Sequence, residues 1–196
     1  MTDYGEHPAR LRDGSTVTVR PIRPEDKDAL AAGLRRVSPE SRYRRFLRPV
    51  TSLSPRELAY LTEIDYTNHF AWVAVDPDDD QQGLGVARYV RDAKDPTIAE
   101  AAVIVVDDYQ GKGLGTILLR LLVATALHNE ITTFRGWVLG DNVEILRPLE
   151  RLGALRKADR GVLRIEVDLT AAFDGSTIQD ALRAVAAGEF TPEPGA

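Results

Sequence analysis

Apolar and polar residues alternate in "TVTVRPI", Thr16 to Ile22, and put Val17 and Val19 on one face, the pattern of a half-buried strand. Pro24 then opens a run of helix formers that extends to about Val37, with Glu25 and Asp26 in the first turn, where the helix dipole favours acids. The same punctuation returns in "SPESRYRRFL", with Ser38 as N-cap, Pro39 at the first helical position and Tyr43, Phe46 and Leu47 on one face. It returns again in "SPRELAYLTEI" from Ser54. Two strands follow, Phe70 to Asp76 and Gly83 to Arg91, joined by the acidic loop "PDDDQQ". A third, "IAEAAVIVV", runs from Ile98 to Val106, and an apolar helix spans Leu114 to about Asn129. "TTFRGWVL" reads as a strand, "NVEILRPLERLG" as a short helix kinked at Pro148 and ended by Gly153, and "GVLRIEVDL" as a last strand preceded by a shorter one near Leu155. "IQDALRAVAAG" gives a small helix before the tail "TPEPGA". Hairpins in the middle and a strand–helix–strand crossover later predict an α/β order with a mixed sheet, and no internal repeat is visible.

Composition narrows the functions. A chain of 196 residues with 43% hydrophobic and 28% charged residues can bury a core of its own. Its net charge of -5 argues against nucleic-acid binding. No apolar stretch approaches the roughly 20 residues that span a bilayer, and the polar start "MTDYGEHPARLRDG" is unlike a signal peptide. The absence of Cys excludes disulfides, thiolate ligands and a Cys nucleophile, and fits the cytoplasm. His7, His69 and His128 lie far apart without metal-ligand spacing. "DPDDDQQG" fails as a calcium loop, because Gln81 and Ala87 stand where Gly and Glu are required. No G-x-S-x-G elbow is present.

The distinctive stretch is "VVDDYQGKGLGTILLRLLVATA", Val105 to Ala126, in which Gly111, Gly113 and Gly115 separate the strand from the helix. One glycine would serve a tight turn. Three at alternate positions uncover a line of backbone N–H groups at a helix N-terminus, which suits an anion, and a phosphate in particular. The spacing fails the P-loop pattern and also the dinucleotide fingerprint. "GLGVAR" at Gly83 is better explained by a bulge or close backbone packing.

Gln110, Gly113 and Gly115 reproduce the Q/R-x-x-G-x-G/A signature of the GNAT acetyltransferase superfamily. With "LRDGSTVTVRPIRPEDKDAL", "SPESRYRRFL", "LTEIDYTNHFAWVAV", "AEAAVIVVDDYQGKGLGT" and "GDNVEILRPLERLGA", the chain resembles the acetyltransferase domain of bacterial Pat-type protein lysine acetyltransferases over about Leu11 to Asp168. The resemblance implies a GNAT-like α/β (α+β) domain over residues 11–170, a mixed, mostly antiparallel sheet of six to seven strands flanked by helices, followed by a C-terminal helix and tail over 171–196. It implies acetyl-CoA as cosubstrate, with no metal. The amides of Gln110, Gly111, Lys112, Gly113, Leu114, Gly115 and Thr116 would hold its diphosphate. Val103, Ile104, Val105 and Val106 would bind the pantetheine arm in a V opened against Thr133 to Leu139. Asn142 matches a family Asn that contacts the cofactor, and an Asn there is also a normal N-cap.

Acetylation of an amine requires the neutral amine, so a general base must take a proton from a group with pKa about 10.4. Glu100 lies in the strand "IAEAAVIVV" between apolar neighbours, where burial would raise its pKa toward neutrality. The resemblance makes it the base; the bland alternative is a solvent-facing Glu near a strand start. Many GNAT enzymes carry a Tyr that protonates the thiolate, and the matching position is Leu149. The expected reaction is direct transfer in a ternary complex, to a protein lysine or a small amine; a silent acyl-CoA-binding module is the alternative of another class. His69 is either structural or a group reaching the acceptor cleft. The arginines at 35, 36, 42, 44, 45 and 48, opposed only by Glu40, form either a solvated helix face or a surface toward the acceptor or the CoA phosphates. No nucleic-acid or membrane partner is expected, a dimer through the sheet edge or C-terminal segment is an open option, and these 196 residues leave no room for the additional regulatory or ligase-like domain that Pat-like enzymes often carry.

Overall fold

The computed structural model describes residues 4–142, 146, 154–159, 162–172 and 178–188. One sheet of eight strands runs in the order β1-β2-β3-β4-β5-β6-β8-β7. β1 is His7–Arg10, β2 Thr16–Pro21, β3 His69–Asp76, β4 Asp79–Arg91, β5 Ile98–Val105, β6 Thr133–Leu139, β7 Leu155–Asp159 and β8 Val162–Asp168. Every neighbouring pair is antiparallel except β5 with β6. Between β2 and β3 lie a 3-10 turn, Pro24–Asp26, and the helices α1 (Lys27–Arg35), α2 (Pro39–Phe46) and α3 (Pro55–Thr62). α4 (Leu114–His128) crosses from β5 to β6, and α5 (Leu169–Ala172) and α6 (Ile178–Ala187) follow β8.

The period of two along each strand divides the core. Phe70, Trp72, Ala87 and Tyr89 face Leu114, Ile117, Leu118, Leu121 and Leu122 of α4, while Ile178, Leu182 and Val185 of α6 close the same cluster. Ala71, Val73, Val75 and Val86 point the other way, against Ile22, Leu30 and Ile64. The helices start where their caps dictate. Ser38 Oγ accepts from Ser41 N at 3.2 Å, and Ser54 with Glu57 forms a reciprocal capping box, with Ser54 N donating to Glu57 Oε2 at 2.8 Å. Leu47 ends α2 in the left-handed region at φ 53°.

Three details differ from the sequence reading. The sheet has eight strands rather than six to seven, because "HPAR" forms an edge strand whose Pro8 needs no ladder N–H. β4 starts at Asp79 rather than Gly83, since the exposed end of a hairpin requires no apolar face to pair. The first helix begins only at Lys27, after the 3-10 turn. Gly83 does mark an irregularity: the β3–β4 register shifts there, and a Cβ on Gly83 would stand 3.1 Å from the Ala29 carbonyl of α1. The helix expected from "NVEILRPLERLG", with Pro148, Leu149 and Gly153, lies outside the described residues apart from Asn142, which is buried, and Leu146, which is helical and buried. The tail "TPEPGA" also lies outside them. No helix among the described residues is long and apolar enough to cross a membrane.

Candidate active site

The glycine loop leaves the end of β5 through a 3-10 turn, Asp107–Tyr109, and enters α4 directly. Gly111 and Gly113 adopt φ of 72° and 89°, a region that a side chain would strain. A Cβ on Gly111 would meet nothing within 4 Å, so the loop faces open space. Gly113 is the N-cap residue of α4 and offers no side-chain acceptor, and the first turn carries no acid. The N-terminal amides and the positive end of the dipole therefore keep their anion preference. Gly115 is less constrained, because a Cβ there would touch only Val105 Cγ2, at 3.7 Å.

The loop is braced from both sides. Gln110 Nε2 donates to the Val105 carbonyl at 3.1 Å and to Asp107 Oδ1 at 3.0 Å. Lys112 Nζ pairs with Asp13 at 3.1 Å and lies over the Tyr109 ring, and the Lys112 carbonyl accepts from Arg12 N at 3.0 Å. Hydrogen bonds from Ser15, then the Lys112 ammonium, hold the Asp13 carboxyl at about 2. The Lys112 side chain thus anchors the loop to the β1–β2 turn. Leu114 is fully buried in the core, which leaves only its amide for a ligand. Thr116 is half-buried in the first turn.

Upstream, β5 and β6 share only three register pairs, Ile98 with Thr133, Ala99 with Phe134 and Glu100 with Arg135. Beyond them β5 stays on β4 as far as Val105 opposite Gly85, while β6 follows β8 to Leu139 opposite Val162. The two strands therefore diverge in a V. Val106 N donates to the Leu84 carbonyl of β4, so strand alternation turns the backbone groups of Ala101, Val103 and Val105 toward the V and those of Ile104 and Val106 toward β4. Gly136 confirms the approach at the apex, since a Cβ there would lie 3.3 Å from the Ala101 carbonyl. Asn142 follows β6, is buried, and its carbonyl accepts from Leu146 N at 3.1 Å, the position that opens a helix.

Glu100 occupies the last shared register pair, at the apex of the V. Its chain neighbours Ala99 and Ala101 turn toward the α4 face, and Glu100 turns to the opposite one, where it is exposed. The apolar burial expected for it is therefore not found; neighbours along a strand do not share its face. A cleft of about 110 Å³ adjoins it, lined by Val90, Arg91, Asp92, Arg135 and Trp137. Arg135 stands opposite Glu100, but its guanidinium is held by Glu166 at 2.9 Å through Nε and by Asp92 at 3.1 Å through Nη1. Glu100 is thereby left without an ion-pair partner within 4 Å among the described residues.

His69 is a structural group. Its Nε2 lies 2.9 Å from Arg88 Nη1, and because a guanidinium only donates, the imidazole accepts and is neutral. Burial, then the Arg88 charge, press its pKa down to about 4 against the pull of Asp65. The sequence reading missed Asp92, Arg135, Trp137 and Glu166; alternation in "TFRGWVL" carried the signal for Arg135 and Trp137, which lie on one face. No group of three or more metal-capable side chains is present among the described residues.

The profile of the Acetyltransferase (GNAT) domain matches residues 16–155, more than half of the chain. This chain belongs to the GNAT acetyltransferase family. The GNAT chain is 36% identical over 167 residues to "Acetyltransferase Pat" of Mycolicibacterium smegmatis, which covers 83% of this chain and 48% of that protein. It thus spans about half the length of that curated relative. The GNAT domain of S. lividans PAT matches with a TM-score of 0.76 at 31% identity, over 83% of this chain and 96% of that one. At 18% identity the likeness to yncA of Salmonella typhimurium, solved with its cofactor acetyl-CoA, is one of fold alone, with a TM-score of 0.58 over 78% of this chain and 94% of that one.

Proposed function

We propose that this GNAT chain is an acetyl-CoA-dependent N-acetyltransferase whose acceptor is a protein lysine. The observation that carries the reading is the placement of Glu100 at the last register pair before β5 and β6 diverge, with the glycine loop at the far end of the same strand. The V-facing backbone of Val103 and Val105 offers the ladder groups on which an amide-bearing arm can be added as an extra strand. The loop amides from Gln110 to Thr116 face open space at the α4 N-terminus, which suits a diphosphate. The residues therefore fit acetyl-CoA, which supplies the acyl group as a thioester when bound. Asn142, close behind β6, is the further candidate contact.

Glu100 is the proposed base. It is exposed to the cleft, so it can reach an incoming amine directly or through one water, and it accepts the proton that the ammonium must lose. Arg135 is already engaged by two carboxylates and leaves the Glu100 oxygens free to accept. The chain has no Cys, so the proposed reaction passes the acyl group straight to the amine without a thioester on the protein, the thioester C–S bond breaking as the CoA sulfur leaves as a thiolate. An open cleft lined by Trp137 suits a long, flexible amine such as a lysine side chain, and the name of the Mycolicibacterium relative supports an acetyltransferase. Small amines are the within-class alternative.

Incubation with acetyl-CoA and cytoplasmic extract, followed by mass spectrometry of acetylated lysines and a parallel amine screen, tests the acceptor. Gly113→Val tests the loop: acetyl-CoA should no longer protect it against thermal unfolding, and undiminished protection overturns the phosphate assignment.

A further inference from the structure

We propose that a second cavity, on the sheet face covered by α1–α3, is a binding site for the carboxylate of a small aliphatic acid. The cavity measures about 70 Å³ and is lined by Ile22, Leu30, Val73, Val86 and Ile104, with Arg45 and Arg88 in its wall. Arg88 is 5% exposed. Its only hydrogen-bond partners among the described residues are neutral, the Leu61 carbonyl at 3.2 Å and His69 Nε2 at 2.9 Å. Arg45 stacks its guanidinium 5.0 Å from the centre of the Phe46 ring. Neither arginine has a carboxylate within 4 Å among the described residues. The one acid in the wall, Asp26, is consumed by Arg20 through two contacts of 2.7 Å.

Two guanidiniums share one apolar enclosure with no carboxylate in contact, since Glu100 acts on Arg45 only from beyond ion-pair distance, and they repel one another and lose hydration. Burial and then the Arg45 charge pull Arg88 down to about 9. A buried cation is tolerated where an anion compensates it, and planar guanidiniums match a carboxylate. The aliphatic remainder of the wall selects the body of the ligand, and the small volume excludes a peptide. Two sources share this chemistry. One is a free short-chain acid. The other is the carboxylate at the end of a donor acyl group, because Ile104 and Val106 of the cavity belong to or adjoin β5 and Arg88 is in register with Ala102. The second source rests on the acyl-CoA reading above; the first does not.

The test is thermal unfolding of the full chain at constant ionic strength and near-neutral pH, with butyrate against butyramide and succinyl-CoA against acetyl-CoA. Near tenfold the dissociation constant, the carboxylate form should raise Tm by about 3–6 °C over its neutral counterpart. The added shift should vanish in Arg45→Met, which lies on the half-exposed α2, and in Arg88→Met, read against that variant's own ligand-free Tm because the change also leaves the Leu61 carbonyl and His69 Nε2 without their donor. A butyrate effect assigns the free acid, and an excess for succinyl-CoA assigns the acyl chain. If neither carboxylate exceeds its counterpart, or the excess persists in Arg45→Met, the proposal is overturned. These readouts are of binding, so loss of acetyl transfer does not affect them.

Discussion

The two faces of the sheet are built by opposite rules. Toward α4 the face is dry: Phe70, Trp72 and Tyr89 meet Leu114, Leu118, Leu121 and Leu122, and the indole of Trp72 is satisfied by Thr125 Oγ1 at 2.9 Å. Toward α1–α3 the apolar cluster is smaller and shares its space with Arg20, Asp26, Arg88 and His69. A continuous hydrophobic face secures the fold, so the other face can carry charge where chemistry requires it. Glu100 emerges on the charged side, although its strand is anchored through Ala99 on the dry side.

The comparison can be broken by substitutions that separate rate from stability. Glu100→Gln should lower kcat/KM by about 10²–10⁴-fold, the range for general-base catalysis, with acetyl-CoA affinity and Tm unchanged; unaltered turnover removes Glu100 as the base. On the dry face Leu121→Ala should cost about 2–5 kcal/mol of unfolding free energy, measured by denaturant titration, while kcat of the folded fraction holds. If turnover instead falls as far as with Glu100→Gln, the two faces are not independent.

A smaller effect sharpens the charged side. The His69 pKa of about 4 lies below the ordinary 6.5, so the unfolded chain binds more protons between those values. Stability should therefore fall as pH drops from about 6.5 toward 4. His69→Gln keeps an acceptor for Arg88 without a titrating ring and should flatten that fall relative to the parent; an identical slope refutes the assignment.

Much of this arrangement could be read from neighbouring residues. The glycines between β5 and α4, the caps Ser38 and Ser54 and the alternation of β2 are local patterns, and each stands where expected. Edge strand β1 escaped because "HPAR" carries no alternation and is held by its partner β2 rather than by propensity. The exposure of Glu100 was misread from its chain neighbours, which belong to the other face. Asp92 and Glu166 meet at Arg135 from 43 and 31 residues away, and Arg88 reaches the Leu61 carbonyl across 27. Such convergence depends on sheet order, which short-range periodicity does not encode.

The three-rung contact between β5 and β6 also has a geometric meaning. Among the described strands it is the only ladder joining the half-sheet β1–β5 to the half-sheet β6–β8–β7, and the core on the α4 face is shared by Phe70 and Trp72 of one half and Phe134 and Ile165 of the other. The seam is thus stitched by rungs at one end and left open at the other, and Glu100 stands on its last stitch.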